Sequence, residues 1–398
     1  MESQPMQPFT LLIKPSGSDC NLDCKYCFYK CRAPEIGRGR QRMSDEVLDK
    51  LVKDYMALRF GEAGFAWQGG EPTLMGLDFY KKAVELQKKY GAPGQTVSNA
   101  LQTNAILLDD DWCEFLRDNK FLVGISIDGP KGLHDYYRVD HSGRGSYDKV
   151  IRAIENCRRH NVEFNLLVLL NNKNADHPDE LFDFLVGLGT RYLQFIPCVE
   201  QDQAAGQVAD FSVTPQQYGE FNCRIFDRWC EYGPKKLSIR DFDSILSFCL
   251  TGRNTICTFD RQCSQYVVVE YTGDCFPCDF FVRPEWRLGN IFETPIEKLA
   301  ASEKKRSFAR AKKNLCNKCL LCSHLALCRG GCMKDKLGTP GHSERSEEYR
   351  RASDKGDVNK ETYFCESYKR FFDYTLPRFM QIAAELSSDA NAPRKSPV

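Results

Sequence analysis

Net charge is the first thing this sequence lacks. Its 398 residues carry 55 Lys and Arg against 54 Asp and Glu, so neither a basic footprint for nucleic acid nor a global attraction to a polyacidic partner is expected. Long apolar runs are missing too. The longest, Phe164 to Leu170, is broken by Asn165 and is far too short to span a bilayer, so no membrane partner is expected. Residues Met1 to Pro8 are polar and contain no apolar secretory core, which points to the cytoplasm. That compartment changes how cysteine is read. Twenty cysteines would form disulfides in a secreted chain, whereas in a reducing cytosol they are better read as metal ligands.

Those cysteines gather in two places. The first is Cys20-Asn21-Leu22-Asp23-Cys24-Lys25-Tyr26-Cys27. Three thiols at C-x3-C-x2-C spacing on a tight loop can each take one iron of a cubane, which leaves the fourth iron open for chemistry. Structural zinc is the rival, but zinc prefers closed four-ligand sets and no fourth ligand follows nearby. The second place runs from Cys257 and Cys263 through Cys275 and Cys278 to Cys319-x2-Cys322-x5-Cys328-x3-Cys332, with Cys365 beyond a long polar stretch. Spacing alone leaves zinc knuckles and iron–sulfur ligation both open for this field. Cys275 and Cys316 are left over. Cys223, Cys230 and Cys249 fall on apolar helical faces and read as core.

Between these fields, apolar runs and helical stripes alternate. Strands are expected at Phe9 to Lys14, at Phe65 to Trp67, at Thr96 to Thr103, at Phe121 to Ile127, at Val162 to Leu170 and at Arg191 to Ile196. Helices are expected after Ser44, whose side chain caps a first turn holding Asp45 and Glu46, and at Asp109 to Asn119, Ser146 to His160 and Pro178 to Leu188. Thr214-Pro215 starts another, with Pro at the first helical position. Six strands alternating with helices give parallel βα units, whose sites sit at the C-terminal strand ends. The polar motifs fall there: Gly69-Gly70-Glu71-Pro72, where paired glycines let the backbone approach a ligand with the Glu71 carboxylate beside it, and Ser126-Ile127-Asp128-Gly129-Pro130. Periodicity fits a closed eight-fold barrel or a doubly wound sheet equally well. Arg32 to Arg42 and the charged insertion from Gly338 to Glu361 read as surface loops, Thr272-Gly273-Asp274 as a hairpin turn, and basic Lys304 to Lys313 as a solvated helix face.

The cysteine loop, with Tyr26 just before its last thiol, resembles the signature of the radical S-adenosylmethionine (SAM) enzymes, and Gly-Gly-Glu-Pro after the second strand strengthens the likeness. The resemblance implies an α/β fold, a partial (β/α)6 TIM-like barrel open on one side, over residues 1–230. It further implies that Cys20, Cys24 and Cys27 hold a [4Fe-4S] cluster, that the backbones of Tyr26 and Gly70 hold SAM, that Ser126 and Arg138 bind its carboxylate, and that Val199 contacts its adenine. A solvated loop charge is the plainer reading of Arg138. Residues 231–398, with C-x9-G-x4-C at Cys263, Gly273 and Cys278 and the later cysteines, resemble the SPASM extension with a terminal helix. That likeness implies two auxiliary [4Fe-4S] clusters, one on Cys257, Cys263, Cys278 and Cys332, the other on Cys319, Cys322, Cys328 and Cys365.

Over nearly the whole chain the resemblance is to anaerobic sulfatase-maturating enzymes. It rests on Lys14-Pro15-Ser16, Cys27-Phe28-Tyr29, Trp67 to Thr73, Leu101-Gln102-Thr103-Asn104, Ser126 to Pro130, Leu193 to Ile196, Cys278-Asp279-Phe280 and Arg287-Leu288-Gly289-Asn290. Such enzymes convert a Cys or Ser of a sulfatase to Cα-formylglycine. The implied partners are a sulfatase polypeptide and a low-potential electron donor of the flavodoxin or ferredoxin type, and Asp279 matches the catalytic base. Two alternatives stand beside this: a SPASM enzyme making thioether or carbon–carbon crosslinks in a ribosomal peptide, and a zinc-stabilised binding protein.

Overall fold

A computed structural model describes residues 6–29, 39–202, 207–336 and 361–391. The insertion after Gly338 up to residue 360, and most of the loop from Arg32, lie outside the described residues. By compactness the chain forms two units, one of residues 1–169 and 263–311, the other of residues 170–262 and 312–398. The expected division into 1–230 and 231–398 follows cofactor chemistry instead of compactness.

In the first unit the strands are β1 (Thr10–Lys14), β2 (Glu62–Trp67), β3 (Thr96–Thr103), β4 (Leu122–Ser126) and β5 (Phe164–Leu170). They pair in parallel in chain order. Helices Asp45–Met56, Leu77–Tyr90, Asp110–Asp118 and Tyr147–Arg159 make the crossovers. Three of the four form where the sequence pattern places them, and Leu77–Tyr90 is not among the expected helices. Ser44 accepts from the Val47 amide, Asp45 and Glu46 fill the first turn, and Val47, Leu48, Leu51, Val52 and Tyr55 are the buried stripe. Each such apolar side chain is worth about 1.5–3 kcal/mol of burial. Parallel pairing with crossovers of one hand brings the C-terminal strand ends, Lys14, Trp67, Thr103 and Ser126 among them, to one edge.

Within this unit three further strands belong to the sheet. Tyr266–Glu270, expected as part of the C-terminal cysteine field, pairs parallel with β1 on the side away from β2, with Lys14 in register with Glu270. Asp274–Phe276 and Gly289–Asn290 extend it antiparallel. The expected hairpin turn is there, with Gly273 at φ +85, a conformation that favours glycine. Within the unit the strands run in one open series without closing, an α/β arrangement of the partial-barrel kind.

The second unit holds the strand Tyr192–Pro197, paired parallel with Ser238–Ile239, and the helices Pro178–Gly187, Pro215–Tyr232, Arg240–Thr251 and Cys365–Asn391. Thr214 and Gln217 form a full capping box with Pro215 at the first position. Phe226, Trp229, Phe242, Phe371 and Phe379 pack as one aromatic cluster joining three of these helices. Cys223, Cys230 and Cys249 lie on two of those helices half-buried, at the margin of the core. No helix among the described residues is long and apolar enough to cross a membrane.

Candidate active site

Where β1 ends, Pro15 and Gly17 turn the chain into the three-cysteine loop, and backbone bonds hold that loop in shape. The Asp23 amide donates to the Val139 carbonyl at 2.7 Å and the Lys25 amide to the Tyr137 carbonyl at 3.1 Å, which ties the loop to the segment after β4. Burial pushes the Cys20 thiol up, and Glu71, Cys24 and Cys27 add to it. Asn104 Nδ2 lies 3.7 Å from Cys20 Sγ and 2.7 Å from Asn21 Oδ1. Asn21 Nδ2 is buried without a partner. Three thiols on one braced loop and an unsatisfied buried donor beside them suit an iron–sulfur cluster, whose sulfurs accept such bonds.

Gly70 lies against this loop. Its amide donates to the Gly17 carbonyl at 2.7 Å, and a Cβ at Gly70 would sit 2.0 Å from the Asp19 carbonyl oxygen, so only glycine fits. Glu71 corrects an expectation. Its carboxylate is fully buried and already engaged, accepting from Thr73 N at 3.0 Å, from the hydroxyls of Thr73 and Thr103 at 2.6 Å each, and from Asn104 N at 2.8 Å. It orders the ends of β2 and β3 and has no free oxygen to offer a ligand. Burial raises its pKa and those four donors work against the rise.

Arg138 is not a solvated charge. Its Nε pairs with Asp128 Oδ2 at 2.9 Å, with side chains 12% and 0% exposed, and its guanidinium stands 5.5 Å over the Tyr26 ring. The Tyr26 hydroxyl donates to Asp128 as well, and Leu169 N donates to Asp128 Oδ1 at 3.1 Å. Burial opposes the charge on Arg138, but Asp128 and Tyr26 outweigh it and hold the guanidinium protonated. His134 braces the group: its Nδ1 accepts from Asp128 N at 3.3 Å, and its Nε2 lies 3.0 Å from Ser146 Oγ, which bonds the Arg138 carbonyl at 2.9 Å. Burial takes the His134 pKa down to about 4. The structure thus joins Tyr26 and Arg138 through Asp128. Ser126 ends β4 two residues earlier, half-buried, and no hydrogen bond joins it to Arg138 among the described residues.

Asp279 follows Cys278 in a short turn and is reached from β1. The Tyr29 hydroxyl donates to Asp279 Oδ1 at 3.0 Å, and the Lys14 ammonium lies against the same oxygen. Lys14 is wholly buried, 3.6 Å from Glu270 Oε1 and 4.5 Å over the Tyr29 ring. Asp279 keeps 17% of its side chain exposed, so it is oriented from behind and open in front. Sequence reasoning named Asp279 and Arg138 but missed Lys14, Tyr29 and Glu270 as supports of the first and Asp128 as the support of the second. The motifs containing Lys14, Tyr29 and Asp279 were each visible, while nothing local pairs segments about 250 positions apart.

In the second unit Cys319, Cys322, Cys328 and Cys365 line one cavity of ≈ 390 Å³, counted out to open solvent, with Tyr368 and Phe372 among its walls. Four thiols on one cavity fit a cubane. Cys316 sits buried with its sulfur 3.5 Å from that of Cys319. Of the other expected set, Cys263 and Cys278 are in the first unit, and Cys257 and Cys332 are in the second. Cys275 is buried in the hairpin, its thiol 3.8 Å from the Gly273 carbonyl, which gives that leftover cysteine a structural place. Val199, also in the second unit, is buried, and its carbonyl accepts from Lys334 at 2.7 Å.

The basic run from Lys304 to Lys313 corrects a further expectation. Within it Lys305 and Lys312 are 5% and 1% exposed. Lys305 donates to the carbonyls of Tyr266 and Pro277, the latter at 3.0 Å; Lys312 donates to those of Cys257 and Thr258, the latter at 2.8 Å. Burial takes the Lys305 pKa down to about 8, with the Cys278 and Cys263 thiols pulling the other way.

Residues 15–185 match the radical SAM superfamily, and residues 257–323 match an iron–sulfur cluster-binding domain, SPASM. The chain is 37% identical over 388 residues to a serine-type anaerobic sulfatase-maturating enzyme of Bacteroides thetaiotaomicron, covering 93% of this chain and 90% of that one. It is 36% identical over 381 residues to a cysteine-type enzyme of Clostridium perfringens, covering 95% and 99%. A solved structure described as native anSMEcpe with bound AdoMet and Cp18Cys peptide superimposes with a TM-score of 0.85 at 36% identity, over 95% of this chain and all of that one.

Proposed function

The chain belongs to the anaerobic sulfatase-maturating enzymes of the radical SAM superfamily, and from that membership we propose that it oxidises an active-site Cys or Ser of a sulfatase to Cα-formylglycine. It is a radical SAM enzyme with [4Fe-4S] clusters and SAM as cofactors. The match to an iron–sulfur domain sets the zinc-knuckle alternative aside.

Cys20, Cys24 and Cys27 are the proposed ligands of the cluster that meets SAM, and Cys319, Cys322, Cys328 and Cys365 those of an auxiliary cluster. The assignment of Cys257, Cys263, Cys278 and Cys332 to a third rests on the resemblance to the SPASM extension. When bound, the first cluster and SAM supply a 5′-deoxyadenosyl radical that takes a hydrogen atom from the substrate Cβ. Gly70, whose amide is already given to Gly17, is a proposed backbone contact to SAM on the strength of the family motif. Arg138 is held rigidly by Asp128 and presents a cation toward the SAM carboxylate, with Ser126 as second donor; Tyr26 and Val199 complete the proposed contacts. Asp279 would accept the proton from the substrate thiol or hydroxyl as the second electron passed to an auxiliary cluster, with Tyr29 and Lys14 fixing its carboxylate. A Ser would give the aldehyde directly, and a Cys would give a thioaldehyde that water converts to the aldehyde with release of sulfide. The division at residue 230 separates SAM chemistry from the auxiliary clusters.

The observation that carries this reading is the position of Asp279, directly after a cysteine of the auxiliary set and gripped by two residues flanking the first cysteine loop. A cytoplasmic site of action and a flavodoxin- or ferredoxin-type donor belong to the same proposal. The test is mass spectrometry of Cys- and Ser-containing sulfatase peptides after anaerobic incubation with SAM and reductant. Formylglycine in at least one peptide supports the reading; release of 5′-deoxyadenosine with both peptides unchanged overturns it.

A further inference from the structure

Lys305 is a buried cation without a buried anion. It sits in the first turn of the helix Glu303–Ala311, 5% exposed, and its ammonium meets only the carbonyl oxygens of Tyr266 and Pro277. No carboxylate of the described residues lies within ion-pair distance of it. Removing an ammonium from water without a counter-charge is strongly unfavourable, and dipoles compensate only part of that. The helix that carries it is held firmly. Phe308 is fully buried against Phe281 and Trp286, at 5.0 and 4.9 Å between ring centroids, and the Ala309 carbonyl takes the Cys263 amide at 3.4 Å. One helix therefore fixes an ammonium on the carbonyl preceding Cys278 and also pins Cys263.

We infer that Lys305 is the internal counter-ion of the auxiliary cluster ligated by Cys263 and Cys278, and that its charge raises that cluster's reduction potential. This rests on the proposed ligand set. A cubane held by thiolates is negative and becomes more so when it gains an electron, so a fixed cation in a low-dielectric surrounding stabilises the reduced form more than the oxidised one. Lys305 touches no reacting atom; it is a positioning residue acting through the cluster. Its role differs from the surface lysines of the same run because only a buried charge escapes solvent screening.

The test is an EPR-monitored redox titration of anaerobically purified holoenzyme, with iron counted in every sample. Lys305→Gln keeps a donor for the Pro277 carbonyl and removes the charge; Lys305→Arg keeps the charge. In Lys305→Gln, at unchanged iron content, the reduced-to-oxidised ratio of one auxiliary cluster at fixed potential should fall at least tenfold, which is about 59 mV for one electron. The other clusters should not move, and Lys305→Arg should restore most of the shift. Unchanged potentials in iron-replete Lys305→Gln overturn the inference. Iron loss in both variants also overturns it, because the role is then structural. Wild-type protein that holds no iron beyond its first cluster overturns the proposed ligand set itself, a separate failure that takes this inference with it.

Discussion

The Tyr29 hydroxyl donates to Asp279 Oδ1 at 3.0 Å, joining residues 250 positions apart. Tyr29 lies two residues after the last thiol of the first loop, and Asp279 lies one residue after Cys278. The bond therefore ties the segment expected to hold the radical-generating cofactor to the carboxylate expected to take the substrate proton.

Asp279→Asn should keep its iron and its cleavage of SAM while losing formylglycine formation by about 10²–10⁴-fold, the range for removing a general base. Quantifying 5′-deoxyadenosine and modified peptide in the same reactions checks this. Normal peptide modification by the variant would show that another group takes the proton.

Tyr29→Phe keeps the ring under the Lys14 ammonium and removes only the bond to Asp279. A hydrogen bond to a charged group is worth about 1.5–3 kcal/mol, so turnover should fall by about tenfold or more with SAM affinity unchanged. Single-turnover rates and SAM binding, measured together, separate this from loss of cofactor.

Arg138→Met leaves the fully buried Asp128 carboxylate without its cation. Breaking such a pair costs about 3–5 kcal/mol of stability, which anaerobic denaturant unfolding would read. Arg138→Lys should recover most of the stability yet bind SAM more weakly, because the charge returns without the planar fork. Wild-type stability in Arg138→Met would mean that the Asp128–Arg138 pair does not hold the fold.

Stability should fall in acid partly through His134. Burial holds its folded pKa near 4, against about 6.5 in the unfolded chain, with Asp128 pulling it up and Arg138 down. The unfolded state thus binds the extra proton first. The contribution is complete above about pH 6.5, is lost progressively as pH falls, and is gone below about pH 4, amounting to roughly 3 kcal/mol. Asp241 and Asp335, whose buried carboxyls are raised to about 6, run the other way in an overlapping window. Their effect cancels in the difference between wild type and His134→Gln. That difference should shrink from pH 7 to pH 4; a constant difference would mean that His134 does not titrate.

Much of the architecture was legible because its determinants are local. Apolar period gives β1 to β5 and three of the intervening helices to within a few residues, though not Leu77–Tyr90 or Lys131–Tyr137, and Thr214-Pro215 marks a helix start by a rule that involves four residues. The grouping of Cys319, Cys322, Cys328 and Cys365, which line one cavity, came instead from the family resemblance, since spacing alone would run on to Cys332. Lys305 and Lys312 were misread for the opposite reason. In a run as basic as 304–313 every lysine looks alike, and burial is decided by what packs over the helix, here Phe281 and Trp286 on Phe308.

What the sequence determined by itself was the chemistry: thiols at cluster spacing, paired glycines after a strand, and an aspartate beside a ligand. Tertiary structure alone decided which charges those groups would meet. Tyr266–Glu270 lies beside β1 only because parallel pairing satisfies two distant backbones at once. That pairing sets Lys14 opposite Glu270 and within reach of Asp279, and no pattern confined to either segment encodes it.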